Sequence, residues 1–332
     1  MNLYPLLFQP VLKDYIWGGR NLETLLKRDL PAGIIAESWE IAAHEDGDTV
    51  IRNGPYAGRT LTDLHAELGL ALIGRRSNWA QERQKFPLLI KLLDAHRRLS
   101  VQVHPDDEYA LALEGNELGK TEMWVILHAE PEAEIILGVA PGTTREGFRQ
   151  ALAAGELAPL LHRIPVETGD FVCVPSGSLH AIMGGLVIAE IQQNSNTTYR
   201  VFDWDRLGDD GRPRPLHVDK ALEVINFEQV APALPEIRCI SEEDGVRRLG
   251  LCRNRYFSVE RVEMAAGASY QGECDGRTLE IWGTISGEVM VNGGGRTVTL
   301  PAVRFTLLPA GMGSFTVAAN SQASVLLRIY VQ

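Results

Sequence analysis

Beyond about residue 235 the sequence is an almost unbroken series of short β-favouring runs: YFSVERVEM, RTLEIWGTISGEVMVN, RTVTLPAVRFTLLPAG and ASVLLRIYV, each bounded by Gly, Pro or Asn. Strands of this length and spacing must bury a shared apolar face, which restricts this part of the chain to a sandwich or barrel. The 32 glycines and 17 prolines supply the turns such a fold consumes.

The first 235 residues are more mixed. Residues 1–50 read as turns and short strands, with WGG at 17–19 making a tight bend. LTDLHAELGLALIG, and FPLLIKLLDA after it, carry apolar spacings of three and four that suit a small helical region, although FPLLIKLLDA reads equally as a buried strand. LSVQVHP (99–105) alternates with a period of two, TTREGFRQALAAGELAPLLHRI (143–164) returns to helical spacing, and PVETGDFVCVPSGSLHAI and LVIAEIQQ return to strands. The expected architecture is all-β dominated: two β-barrel units, the first (1–235) with partly helical stretches at about 61–98 and 143–163, the second spanning 236–332. TGDFVCVPSGSLHAI and LPAVRFTLLPAGMGSFTV share a strand, a Pro-containing turn and a returning strand, the pattern an internal duplication would leave.

Chemistry concentrates in the first unit. Gln102 and His104 face one side of a strand while Val101 and Val103 face the other; Glu122 opens the next β run, and His180 follows the PSG turn. An amide oxygen, two imidazoles and a carboxylate form a donor set suited to Zn²⁺, Mn²⁺, Fe²⁺ or Co²⁺. The other six histidines, His44, His65, His96, His128, His162 and His217, have no partner at telling spacing. Since His217 is the last of them, the second unit is expected to be metal-free. Lys91 is a charge inside an apolar run, which calls for a pocket or a partner, and it is expected to be a substrate-binding residue. Arg97 and Arg98 read as solvent-facing, Trp17 and the Glu37-Trp39-Glu40 cluster as core anchors, and Asp106 and Asp107 as helix caps or supports for the strand end.

The spacing Gly169, five residues, Pro175, Gly177, two residues, His180 resembles the second cupin motif, whereas the first motif is altered, with Gln102 where a His-x-His pair usually begins. The whole pattern resembles the short bacterial form of type I mannose-6-phosphate isomerase, also called phosphomannose isomerase. The resemblance is carried by YIWGG (15–19), AESWE (36–40), FPLLIKLLDA (86–95), LSVQVHPDD (99–107), GKTEMW (119–124), PSGSLHAI (175–182) and EIQQNSNTTYRVFDWDR (190–206). It implies cupin-like jelly-roll barrels, one zinc ion per chain on Gln102, His104, Glu122 and His180, Arg200 as the catalytic arginine and Lys120 beside the pocket as a second substrate-binding residue. The implied reaction is the interconversion of mannose 6-phosphate and fructose 6-phosphate through a cis-enediol. The alternatives are another metal-dependent cupin enzyme acting on a different sugar phosphate, or a non-catalytic cupin that binds one.

The formal charge of −11, from 43 acidic against 32 basic residues, disfavours nucleic acid and anionic membranes as partners; the small phosphosugar partner is what the resemblance implies. The N-terminus lacks the pattern of a secretory leader, no apolar run is long enough to span a bilayer, and the four cysteines are scattered. A reducing cytoplasm is therefore the expected setting. Nothing in the sequence speaks to oligomeric state.

Overall fold

The computed structural model describes residues 3–208 and 211–332. It is dominated by strands, and the chain packs as two compact units. One comprises residues 12–38 and 91–235; the other comprises residues 1–11, 39–90 and 236–332. The unit holding the C-terminal strands thus also draws on segments that come early in the chain.

The strands of the unit of 12–38 and 91–235 lie in two sheets, the second of which also takes in residues 11, 39–41 and 88–90. One has the strand order Leu161–Pro165, Glu134–Val139, His180–Ile182, Val101–Val103, Tyr199–Phe202. The other runs Phe171–Val174, Glu122–Ala129, Leu186–Gln193, Leu88–Ala95, Glu37–Ile41, Val11–Lys13. An apolar cluster draws on both sheets, with Trp124, Val172 and Ile188 from one and Ile135, Leu137 and Ile182 from the other. Val101 and Val103 face a second cluster with Phe148, Leu179 and Leu222, which leaves Gln102 free to point the other way.

The β-dominated fold expected from sequence is present, as pairs of facing sheets; among the described residues no single sheet closes on itself. The strand Leu88–Ala95 is buried along its whole length, which explains why FPLLIKLLDA carries no clean period of two. The stretches expected to be partly helical hold the short helices Leu61–Leu68, Leu70–Ile73 and Asn78–Gln81, and Arg145–Ala154; further short helices lie at Asn21–Thr24, Asp107–Leu113 and Val218–Val224. Arg145–Ala154 starts at Thr144, whose hydroxyl accepts from Gly147 N at 3.1 Å, and stops at Gly155 in the left-handed region. The WGG bend is needed because a Cβ on Gly18 would meet the backbone of Ala36 at 2.6 Å, and one on Gly19 would meet the Asp94 carboxylate at 2.9 Å.

The C-terminal strands repeat this plan. Their six-stranded sheet runs Arg304–Leu308, Glu280–Ser286, Ser324–Val331, Phe257–Met264, Val246–Arg253, Arg238–Glu243, and their four-stranded sheet runs Arg296–Pro301, Glu288–Gly293, Gly313–Ala319, Ser269–Cys274. Taken in chain order, each of these strands has a counterpart at the same sheet position in the first unit, which adds only Tyr199–Phe202. The duplication suggested by the two Pro-containing turns is therefore a property of the whole topology.

Candidate metal centre

Three strands place the site residues in one row. Val101–Val103 lies between His180–Ile182 and Tyr199–Phe202, and Gln102 stands directly opposite His180 on one side and Arg200 on the other. Side chains aligned this way share one face, about 5 Å apart between neighbouring strands. His104 follows Gln102 by two residues on the same face. Glu122 reaches in from the other sheet, at the start of Glu122–Ala129.

His104, Glu122 and His180 converge, with candidate ligand atoms all within 4.8 Å of one another, and each is about 1% exposed. His104 Nε2 lies 3.1 Å from Glu122 Oε1, and His180 Nε2 lies 3.9 Å from Glu122 Oε2. Gln102 Nε2 is 3.3 Å from His180 Nε2, while its oxygen accepts from the Ser100 hydroxyl at 3.1 Å. A half-turn of that amide exchanges the two atoms and presents the oxygen to the centre. Ligands about 2.0–2.1 Å from a zinc ion sit roughly 3–4 Å from each other, and the separations of 3.1, 3.3 and 3.9 Å fall in that range.

The imidazoles are set up as neutral ligands. His104 Nδ1 donates to the Thr197 carbonyl and His180 Nδ1 to the Ser178 carbonyl, both at 2.9 Å, so each Nε2 carries a free lone pair aimed inward. Burial, and then the Lys120 ammonium, push the His104 imidazole down to about 3; burial also lowers His180. Burial works against the Glu122 charge, yet Lys120 and the two histidines outweigh it and hold that carboxyl well below its usual range. One Glu122 oxygen accepts from Trp124 Nε1 at 3.0 Å; the other lies 2.9 Å from Lys120 Nζ.

His104 Nε2 is buried without a hydrogen bond and lies 3.1 Å from Glu122 Oε1, an oxygen whose close cation is Lys120 Nζ at 2.9 Å. Two lone pairs facing each other in a dry site are costly unless a cation lies between them. The residues present therefore fit a divalent ion.

Gln102 and Lys120 form part of the wall of an adjoining cavity of about 280 Å³, whose other polar walls include Lys91, Glu190, Arg200 and Arg214. Lys91 is 2% exposed, with Nζ 3.6 Å from Glu37 Oε2 and 3.5 Å from Glu190 Oε1. Burial disfavours its charge, but the two carboxylates win and keep it protonated. Glu190 is pushed up to about 7 by burial and by the Glu122 charge. Arg200, also on the cavity wall, is half-buried and donates from Nη1 to the Pro215 carbonyl at 2.9 Å, while its buried Nε makes no hydrogen bond. Arg214 and Arg206 both bind Asp203, so three guanidiniums face a single carboxylate in that corner.

The structure thus brings Gln102, His104, Glu122, His180, Lys120, Lys91 and Arg200 around one centre and its cavity. Sequence reading missed Glu190, Glu37 and Arg214 as cavity groups, and the Thr197 carbonyl as the support of His104. Glu190 carries the same signal as Lys91, a lone charge in an apolar strand; Arg214 sits in a loop with no periodic signal. Trp17 is buried and also lines the cavity, Trp39 is fully buried, and Arg97 and Arg98 are exposed, Arg98 lying over the Trp204 ring.

Comparison with known proteins agrees with this site. The pattern of the phosphomannose isomerase type I catalytic domain matches residues 6–151. A probable mannose-6-phosphate isomerase of Bacillus subtilis is 38% identical over 323 residues, 96% of this chain and 98% of that protein. The mannose-6-phosphate isomerase of Streptococcus mutans is 41% identical over 268 residues, 80% of this chain and 81% of that protein. The crystal structure of the mannose 6-phosphate isomerase from Bacillus subtilis superposes with a TM-score of 0.86 at 34% identity, covering 98% of this chain and 99% of that one. The chain belongs to the type I phosphomannose isomerase family.

Proposed function

We propose that this protein interconverts mannose 6-phosphate and fructose 6-phosphate. The observation that carries the reading is the buried His104–Glu122–His180 triad, with its unsatisfied lone pairs, set behind a cavity with cationic walls. We read each pair of sheets as one cupin-like jelly roll, and the cytoplasm as the working compartment, in line with four free cysteines. Among the described residues no helix is long and apolar enough to cross a membrane.

Gln102, His104, Glu122 and His180 would hold one divalent ion, which we take to be zinc among the ions this donor set accepts, and when bound such an ion polarises a carbonyl as a Lewis acid. The remaining chemistry belongs to the chain. Arg200 and Arg214 supply positive charge for the substrate phosphate at one end of the cavity. Arg200 stays protonated and so clamps oxygens rather than accepting a proton. Lys120 donates to the sugar oxygens beside Glu122, where negative charge develops as the cis-enediol forms. Glu190 takes the proton from C2 of the open-chain aldose and returns it at C1, while the hydroxyl proton passes from O2 to O1. Its carboxyl is the cavity acid whose proton affinity is pushed nearest to neutrality. Lys91 holds Glu190 and Glu37 in place and orients the former toward the sugar.

The test is an isomerase assay on mannose 6-phosphate with the zinc-loaded protein and its Arg200→Ala variant. The reading expects turnover to fructose 6-phosphate by the first and a large loss in the second, with zinc still bound. No turnover by the loaded protein, or an unimpaired variant, would contradict it.

A further inference from the structure

The triad is supplied by three separate segments: the strand ending before His104, the run Gly119–Glu122, and the turn that leads into His180. These segments are pinned to one another away from the triad, in a hydrogen-bond cluster around the partly buried Asp107 and the buried Gln193. Asp107 Oδ1 accepts from Gly119 N at 2.8 Å and from Gln193 Nε2 at 3.0 Å. Gln193, fully buried, accepts from Thr121 N through Oε1 at 3.0 Å, and its own backbone N donates to the Thr121 carbonyl at 3.1 Å. The Thr121 hydroxyl accepts from Ser176 N at 3.3 Å, Gly177 N donates to the His104 carbonyl at 2.9 Å, and Lys120 N donates to the Pro105 carbonyl at 2.9 Å. Gly119 is pressed so closely on this assembly that a Cβ would lie 2.5 Å from the backbone of Asp106 and Asp107.

We propose that Asp107 and Gln193 are positioning residues of the metal site, fixing Lys120 and Glu122 relative to His104. The inference rests on the metal-dependent reading above. Gly119–Glu122 is gripped from both sides, by Asp107 at Gly119 and by Gln193 at Thr121, two peptides on either side of Lys120 and immediately before Glu122. Removing the Asp107 oxygen leaves Gly119 N and Gln193 Nε2 without that acceptor in a buried setting, and the segment must move to satisfy them. A shift of about half an ångström in a ligand is enough to weaken such a site. The helix Asp107–Leu113 does not depend on this oxygen for its start, because Asp106 caps it by accepting from Tyr109 N at 2.9 Å.

The experiment measures zinc affinity, by competition with a chromophoric chelator, and kcat and KM for mannose 6-phosphate at saturating zinc. It compares the wild type with Asp107→Ala, Asp107→Asn and Gln193→Met, each checked for folding by circular dichroism. Asparagine keeps the Oδ1 acceptor. Asp107→Ala and Gln193→Met are expected to lose about 10- to 100-fold in zinc affinity, with kcat reduced and KM nearly unchanged, while Asp107→Asn stays within about threefold of the wild type. Wild-type zinc affinity in either truncated variant that folds would overturn the inference. So would an Asp107→Asn variant as impaired as Asp107→Ala. If the wild type binds zinc but does not isomerise, the functional reading fails while the affinity comparison still decides this one; if it binds no zinc, both fail.

Discussion

Lys91 and Glu190 are lone charges on fully buried strands, each about as buried as a core leucine. Taking such groups out of water costs several kcal/mol apiece unless they are paired, and here they lie 3.5 Å from each other with Glu37 completing the set. A pair of this kind facing a cavity points to chemistry more than to stability. Glu190→Gln should therefore lower kcat by about 10²–10⁴-fold, the usual share of a general base, while zinc content stays unchanged. A variant with near-normal kcat would remove Glu190 from proton transfer. The ligand histidines make a separate prediction. In the unfolded chain they take up a proton near pH 6.5, whereas His104 does so in the fold only near 3, because burial and Lys120 oppose its charge. Between those limits the unfolded state binds more protons, so stability rises with pH across the window. Glu190, pushed up to about 7, acts in the opposite direction over the same window, so the prediction is made for the Glu190→Gln variant: the melting temperature of its zinc-free form should fall as the buffer is taken from about pH 7 to about pH 5. A melt insensitive to pH over that span would contradict neutral, buried imidazoles.

At the level of elements, legibility followed the visible face of each strand. Val101–Val103 has one face on the core and one on the site, so its alternation could be read directly, and the turn before His180 was marked by Pro175 and Gly177. Leu88–Ala95 and Leu186–Gln193 are buried on both faces, which removes the period of two; only their charges, Lys91 and Glu190, distinguish a site strand from a core strand. Arg214 lies outside any named helix or strand and lines the cavity, while the chain nearby returns to the row through hydrogen bonds between His217 and the Arg200 backbone. No local pattern encodes such a meeting, since it depends on where the loop closes in space. The sheets were legible as β structure, but the order of their strands depends on which edges pair, and strand composition does not record that.

For the whole molecule, the repeated topology shows two solutions to one electrostatic problem. Glu122 accepts from Trp124 Nε1 at 3.0 Å, and in the second unit Glu280 accepts from Trp282 Nε1 at 2.9 Å. Opposite Trp124 stands Glu190; opposite Trp282 stands Arg328. The Arg328 guanidinium binds Glu280 through Nε at 2.9 Å and Nη2 at 2.5 Å, and Nη1 lies 3.5 Å from Glu260, which Arg248 also pairs. Phe315 packs edge-on against Trp282, as His180 does against Trp124. The second unit thus neutralises its buried glutamate with its own arginine, whereas the first gathers Glu122, Glu190 and Glu37 around Lys91 and Lys120 and is left short of positive charge. Arg328→Met should cost about 3–5 kcal/mol of stability in a denaturant melt, with zinc content unaltered, because it strands Glu280. A neutral substitution would show that the ion pair does not hold this core. The central claim, that only the first unit needs an external cation and uses it for isomerisation, is tested most directly by metal analysis alongside the assay, before and after chelation. The prediction is one divalent ion per chain, loss of mannose 6-phosphate turnover on its removal, and recovery when zinc is returned. Turnover that survives complete removal, or two ions per chain, would contradict it.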